Sequence, residues 1–255
     1  MQGIVMLIGD AQSSKIIYHA LAKTFPIDAV ICEGATDIST FLHRRIQKLG
    51  LLTVIGQILF VAGIVPVVNY LSRRRIQQII SENHLDTSDI PKNCVIDVPS
   101  VNSETTIATL QRLSPRVVIV NGTRIIQEKV LNCIDTIFIN THVGITPLYR
   151  GVHGGYWALA SRDPGNCGVT VDKVDKGIDT GSIIAQACIT PTAADTFVTY
   201  PLLQTSSAIP LLTQAVRDAL TGNLSTTVSR CGKSQLWTHP TAWQYLKNLI
   251  RTGVR

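Results

Sequence analysis

The sequence predicts an α/β fold: a Rossmann-like, mostly parallel sheet with helices on both faces and a short C-terminal appendage. Two observations carry this. Short apolar runs alternate with helix-spaced segments along the first 140 residues. The chain also has 255 residues, 45% of them hydrophobic, which is enough for a large core without disorder or visible repeats.

The elements follow in order. "GIVMLIG" (3–9) is an apolar run ending in Gly9-Asp10 and reads as a first strand rather than a signal peptide, because no basic segment precedes it. "SSKIIYHALAKTF" (13–25) has helical spacing and a serine start. "IDAVICE" (27–33), "CVIDVP" (94–99), "RVVIVNG" (116–122) and "DTIFIN" (135–140) read as further strands. "SETTIATLQRL" (103–113) reads as a helix capped by Ser103. Beyond residue 150 the pattern predicts a helix over 154–163, two strands within 167–190 joined by an Asp/Lys/Gly loop, and a long helix over 195–222 with breaks near Pro201 and Pro210. Residues 1–222 form the expected catalytic domain. Residues 223–255 form the appendage, with short runs "TTVS" and "SQLW" and a last helix "TAWQYLKNLI".

Residues 49–72, "LGLLTVIGQILFVAGIVPVVNYLS", carry no charge and sit in an apolar insertion spanning about 44–80. Length alone admits a membrane span. Interruptions at Gly50, Gln57, Gly63, Pro66 and Asn69 argue for a buried helical hairpin instead, as does the position inside the strand–helix alternation. Basic flanks at Arg44, Arg45, Lys48 and Arg73, Arg74, Arg75 leave a peripheral membrane or partner contact through 44–75 as the alternative.

The formal net charge of +6 is compatible with an anionic partner, and equally with ordinary surface lysines and arginines. Cys32, Cys94, Cys133, Cys167, Cys188 and Cys231 include no Cys-x-x-Cys pair, so reduced, buried thiols of a cytoplasmic protein are expected, with no disulfide frame or metal site.

In sheets of this class ligands bind beyond the carboxyl ends of the strands. "INTHVGITPLYRG" (139–151) brings Asn140 and His142 there. Asp179 lies in the later Gly/Asp loop "KGIDTGSII". A histidine meeting a carboxylate is a stronger and better-oriented base. An asparagine amide can donate to an oxygen gaining charge. The trio suits attack of an external amine on a carbonyl, and no Ser or Cys nucleophile accompanies it. A lone Asn-x-His at a strand end is nonetheless more often a turn or a satisfied core histidine.

These residues resemble a known pattern. Asn140-x-His142, Pro147 with Tyr149-Arg150-Gly151, Gly168-Val169-Thr170 and Asp179-Thr180-Gly181 follow one another as in the folate-dependent formyltransferases. That family includes glycinamide ribonucleotide, methionyl-tRNA and sugar N-formyltransferases. The resemblance covers about residues 95–215 and implies the formyltransferase fold, with 10-formyltetrahydrofolate as co-substrate, a primary amine as acceptor and no metal. It implies that Asn140 holds the formyl oxygen, that His142 is the acid/base partner and that Asp179 tunes it. "VIVNGTRII" (118–126) matches the folate-pocket segment, so Gly122, Arg124, Ile125 and Ile126 would bind the pterin. Val174, Asp175, Gly177 and Asp179 would close over it. Tyr149, Arg150, Gly151 and His153 are the candidate acceptor contacts. Tyr156 and Trp157 could stack on a ligand, though packing of a helix is the expectation for Trp157.

Three departures matter. Gly144 stands where the family usually has Ser, Ile145-Thr146-Pro147 replaces Leu-Leu-Pro, and "GDAQSSK" is not a Gly/Ser-rich phosphate loop. Too few residues follow the long helix for the C-terminal barrel of methionyl-tRNA formyltransferases. The first strand begins too early for the regulatory domain of the related hydrolases. "YRGVHGGYWAL" looks most like formyltransferases of sugar and surface-polysaccharide pathways, which implies a nucleotide-linked amino sugar as acceptor and no nucleic-acid partner. Glycinamide ribonucleotide, an amino acid or a peptide is the alternative amine. A non-catalytic membrane- or partner-docking protein on the same fold is the alternative class. The oligomeric state is open and compatible with a dimer.

Overall fold

The computed structural model describes residues 3–34, 38–177, 180–227 and 234–255. The first strand, β1 (Ile4–Gly9), is buried along its whole length. Ile4, Met6 and Ile8 face one core, and Val5 and Leu7 face a second. That period of two with both sides apolar is what a central strand covered on both faces requires. β2 (Ala29–Glu33) and β4 (Val117–Asn121) pair with it in parallel on either side. β3 (Val95–Val98) lies outside β2. β5 (Ile137–His142) lies outside β4. β7 (Gly168–Lys173) and β8 (Ser182–Cys188) then add antiparallel. The order is β3-β2-β1-β4-β5-β7-β8, so strand order reverses between β1 and β4. The crevice at such a reversal is where this architecture binds ligands.

One face is covered by α1 (Gln12–Ala22) and α8 (Tyr200–Thr221), whose Leu212, Ala215 and Val216 pack on Ile4, Met6 and Ile119. The other is covered by α5 (Glu104–Leu113) and the short α6 (Glu128–Leu131) through Leu110 and Val130. Ser103 caps α5, its hydroxyl accepting from Thr106 N at 3.3 Å. The predicted breaks in α8 do not occur. Pro201 falls in the first turn, where a missing N–H costs nothing. Pro210 removes one internal bond, but fully buried Ala208 and Leu212 hold the helix on the core on either side of it.

The C-terminal residues join the body around a third core. The two-residue strand β6 (Arg150–Gly151) pairs in parallel with β9 (Leu236–Trp237). Trp237 stacks on Trp157 of α7 (Gly154–Ala160) with ring centroids 4.6 Å apart. Trp157 also donates its indole N–H to Thr238 O at 2.9 Å, so it packs the helix as expected, and Tyr156 is buried beside it. The last helix, α9 (Ala242–Thr252), opens with a capping box between Thr241 and Gln244.

The largest departure from expectation is the apolar insertion. After α2 (Ile38–Leu49) and a left-handed Gly50, the segments α3 (Leu51–Leu59), a π turn at Phe60–Ile64 and α4 (Val65–Glu82) run as one helix of 32 residues. It is not a buried hairpin. Only one stripe of this helix finds partners, from Val54 near its start to Ile79 near its end. Val54, Phe60 and Ile79 pack inward, while Leu52 and Leu71 are 76% and 73% exposed.

The inward stripe is partly polar. Gln57 donates to His239 O at 2.7 Å and accepts from Arg45 Nε at 2.7 Å. Ser72 meets Thr196 at 2.8 Å, and Arg75 Nε donates to Asp195 at 2.8 Å. Burial would push the Asp195 carboxyl up, but its bonds from Arg75 and Thr192 outweigh this and hold it below the ordinary value. A depressed carboxyl contributes stability above its unfolded value near about 4, and loses it as pH falls through the folded value. Arg75→Ala leaves that carboxylate buried without its cation. It is expected to cost about 3 kcal/mol in urea unfolding at neutral pH, and the deficit should shrink below about pH 4 as Asp195 protonates.

The cysteines depart from expectation only in their burial. Cys167 is buried, Cys32, Cys94 and Cys133 are half-buried, and Cys188 is exposed; all five are free thiols. Cys231 lies outside the described residues.

Candidate active site

A cleft of about 450 Å³ opens at the carboxyl ends of β4 and β5, beside the reversal of strand order. Asn140 and His142 sit within the last residues of β5 rather than beyond it, because the strand runs to His142. Both line the cleft, as do Gly122, Arg124, Ile125, Ile126, Val174, Asp175, Gly177 and Gly151. Tyr149, Arg150 and His153 are not among its walls. Asp179 lies outside the described residues.

The imidazole of His142 is buried, and its Nε2 lies 2.8 Å from Tyr149 O. A carbonyl only accepts, so Nε2 carries the hydrogen and Nδ1 is the basic nitrogen of the neutral ring. The chain after His142 is shaped to allow this. A Cβ on Gly144 would lie 2.3 Å from Tyr149 O and 2.7 Å from His142 Nε2. Thr170 secures the same turn. Its hydroxyl donates to Gly144 O at 2.7 Å and accepts from Thr146 N at 3.1 Å and from Gln186 Nε2 at 2.9 Å. That uses its single donor and both lone pairs, which gives the "GVT" strand a physical role beside the histidine.

Asn140 stands opposite Asp172 in the antiparallel β5–β7 pair, and its Nδ2 donates to Asp172 Oδ1 at 3.3 Å. Asp172 is buried and lines the cleft. With one amide hydrogen directed at Asp172, the second remains to address a ligand oxygen. Sequence reasoning overlooked Asp172, whose only signal was a carboxylate two positions beyond Thr170 in an apolar strand.

The loop 122–127 is held from behind by two residues. Glu33, at the end of β2, accepts from Arg124 N at 2.6 Å and Val101 N at 3.2 Å, and its carboxylate lies 3.1 Å from Arg124 Nε. Asn102 donates to Ile125 O at 2.9 Å and accepts from Gln127 N at 2.7 Å. Asn102 therefore shapes the loop. Asn121 Oδ1 accepts from Ser13 and Ser14 hydroxyls at 3.0 Å each, tying the first βα turn to the cleft. Gly9 packs under it, where a Cβ would meet Gly122 O at 2.2 Å. The opposite rim is pinned by Asp175, which accepts from Gly177 N at 2.8 Å and Thr180 Oγ1 at 2.6 Å. Glu33→Ala removes the acceptor of a buried N–H and is expected to cost about 1–3 kcal/mol of stability. Faster hydrogen exchange confined to residues 122–127 would locate the effect in the loop; uniform loss would place it elsewhere.

The remaining candidates do not line the cleft. The Tyr149 hydroxyl donates to Asp163 at 2.8 Å; burial and that carboxylate push it up to about 12. Arg150 lies in β6 with a buried Nε that has no hydrogen-bond partner among the described residues. His153 has a left-handed backbone, meets His239 Nδ1 at 2.9 Å and packs on Phe197. Burial first, and His239 second, push it down to about 3, so it is neutral near pH 7.

Comparison with known proteins bears on this arrangement. A family model described as formyl transferase matches residues 57–202, more than half of the chain. The methionyl-tRNA formyltransferase of Pelotomaculum thermopropionicum is 36% identical over 90 residues, which are 35% of this chain and 28% of that protein. The matched stretch thus spans under a third of that relative. The sugar N-formyltransferase of a Shewanella species superposes with a TM-score of 0.57 at 15% identity, over 98% of this chain and 87% of the other. An N-formyltransferase from Helicobacter canadensis, solved with folinic acid and dTDP-3-aminofucose, gives 0.55 at 15% identity, over 91% and 70%. These two likenesses concern the fold, whereas the family model spans β4, β5, β7 and β8 with the Asn140–His142 strand end among them, and on that match the chain belongs to the formyl transferase family.

Proposed function

We propose that this chain transfers a formyl group from 10-formyltetrahydrofolate to the primary amine of a small acceptor, a nucleotide-linked amino sugar. The observation that carries the reading is the pairing of Asn140 and His142 at one end of a cleft whose other wall is the loop 122–126. The volume of about 450 Å³ falls within the range of ligand sites. Val120, Ile126 and Val174 offer apolar walls for a flat ring. Arg124 N–H and Ile125 O are used in holding the loop, so pterin recognition falls to its remaining main-chain groups, around Gly122 and Ile126.

In this reading Asn140 donates its second amide hydrogen to the formyl oxygen as that oxygen gains charge. His142 takes up a proton at Nδ1 as the acceptor nitrogen bonds to the formyl carbon, and returns one as the bond from that carbon to the folate nitrogen breaks. Asp179 stabilises the imidazolium. The atoms balance: the amine loses a hydrogen, the folate nitrogen gains one, and tetrahydrofolate leaves. Gly151, the one acceptor candidate on the cleft wall, marks where the amine would enter. The sugar acceptor rests on the sugar N-formyltransferase neighbours, one of them solved with a nucleotide-linked amino sugar. The curated relatives carry the methionyl-tRNA name, which favours a different amine.

The test is tetrahydrofolate release from 10-formyltetrahydrofolate by the purified chain, with nucleotide-linked amino sugars, glycinamide ribonucleotide and methionyl-tRNA offered in turn. Release with an amino sugar alone supports the proposal. Release with another amine keeps the transferase and replaces the acceptor. No release with any amine, together with no folate binding, removes the enzyme reading.

A further inference from the structure

The helix formed by α3 and α4 is apolar on the side that faces water as well as on the side packed against the body. Its inward stripe carries Gln57, Ser72 and Arg75 in polar contacts. Its outward face carries Leu52, Ile55, Leu59, Val67, Tyr70 and Leu71, all exposed. The apolar surface continues onto α9. Trp243 packs so closely on Gly56 that a Cβ there would meet its ring at 2.2 Å, and Leu246 and Ile250 beyond it are exposed. An exposed apolar face of this kind marks an interaction surface.

Charge says what it docks on. No Asp or Glu occurs between residues 38 and 81, while Arg44 and Lys48 stand at one end of the charge-free run and Arg73 and Arg74 at the other. All four are exposed, whereas Arg75 turns inward to Asp195. An apolar strip with cations at both ends matches the acyl edge and anionic headgroups of a bilayer. A second copy fits poorly, since either alignment of two such helices sets arginines against arginines. The sheet rules out a single span: β2 before the helix and β3 after it are hydrogen-bonded neighbours, so both ends of the insertion return to one side. A two-span hairpin needs about 40 apolar residues, far more than the stretch 49–72 supplies.

We propose that the outer face of α3 and α4, continued by α9, lies in the interface of an anionic lipid membrane. The inference does not rest on the proposed reaction. The test is flotation of the full chain with vesicles of phosphatidylcholine, with and without phosphatidylglycerol. The expected result is flotation on the phosphatidylglycerol vesicles only, weakened at high salt. Leu52→Asp with Leu71→Asp should lower partitioning at least about tenfold, and Arg44→Glu with Arg74→Glu should abolish the preference for anionic lipid. Neither pair touches the cleft, so melting temperature and any formyl transfer should stay unchanged. No flotation on anionic vesicles at low salt, or flotation insensitive to both pairs, overturns the proposal. So does a stable dimer in sedimentation that Leu52→Asp dissociates.

Discussion

His142→Ala is expected to fold normally and to slow formyl transfer by about 10²–10⁴-fold, the usual contribution of a positioned acid/base group. Asn140→Ala should lose about 10²–10³-fold, the usual loss on removing one oxyanion donor. The two effects should not simply multiply, because the residues serve one step. The geometry makes the comparison informative. His142 has its Nε2 held by Tyr149 O, so deleting the ring frees a buried carbonyl and should cost some stability as well. Asn140→Ala likewise takes a donor from the buried Asp172 carboxylate, so it too should lose some stability, and both rates are compared on folded protein. Rates are measured as tetrahydrofolate release with the active acceptor, and folate affinity is measured separately. Unchanged release in both variants would remove these side chains from the chemistry. A loss of folate binding that matches the loss of rate would make them binding groups only.

How much of this was legible before folding depends on where each signal lives. β1 and β4 announce themselves because both of their faces are buried, and an unbroken apolar run is what that environment selects. Asn140 and His142 could be found because they end such a run. Asp172 could not, since its meeting with Asn140 depends on the antiparallel register of β5 and β7, which local sequence does not encode. Glu33 and Arg124 are 91 residues apart and meet only because β2 and β4 flank β1. The long apolar helix misled for the opposite reason. Apolar composition says that a surface leaves water, but not whether protein or lipid receives it. Tyr149 and His153 were drawn toward the site by their neighbours in sequence. Tyr149 lies in the turn before β6 and its hydroxyl goes to Asp163, and the left-handed turn at His153 sends its ring to Phe197 and His239.

Gly144→Ser is the sharpest test of how this chain departs from its family, whose usual residue there is Ser. Judged by pattern alone, the change restores a familiar motif and should be harmless. The distances argue otherwise. The first side-chain atom would lie 2.3 Å from Tyr149 O and 2.7 Å from His142 Nε2. The first of these is a backbone atom, fixed by a turn that Thr170 and Gln186 clasp from below. No rotamer of the new residue relieves a clash made by its Cβ, so the turn 144–149 or the imidazole must move. The expected cost is about 1–3 kcal/mol in stability, as for other overpacked sites. The larger effect should be on rate. Separating Nε2 from Tyr149 O releases the ring from the orientation that makes Nδ1 its basic nitrogen, and transfer should fall about 10²-fold or more, in the manner of a misplaced catalytic group. Gly144→Ala should behave like Gly144→Ser if the Cβ is the cause. A serine variant that is active while the alanine variant is not would show that the hydroxyl can take over part of the histidine's hydrogen bonding, and that the glycine is one of two workable solutions at this turn.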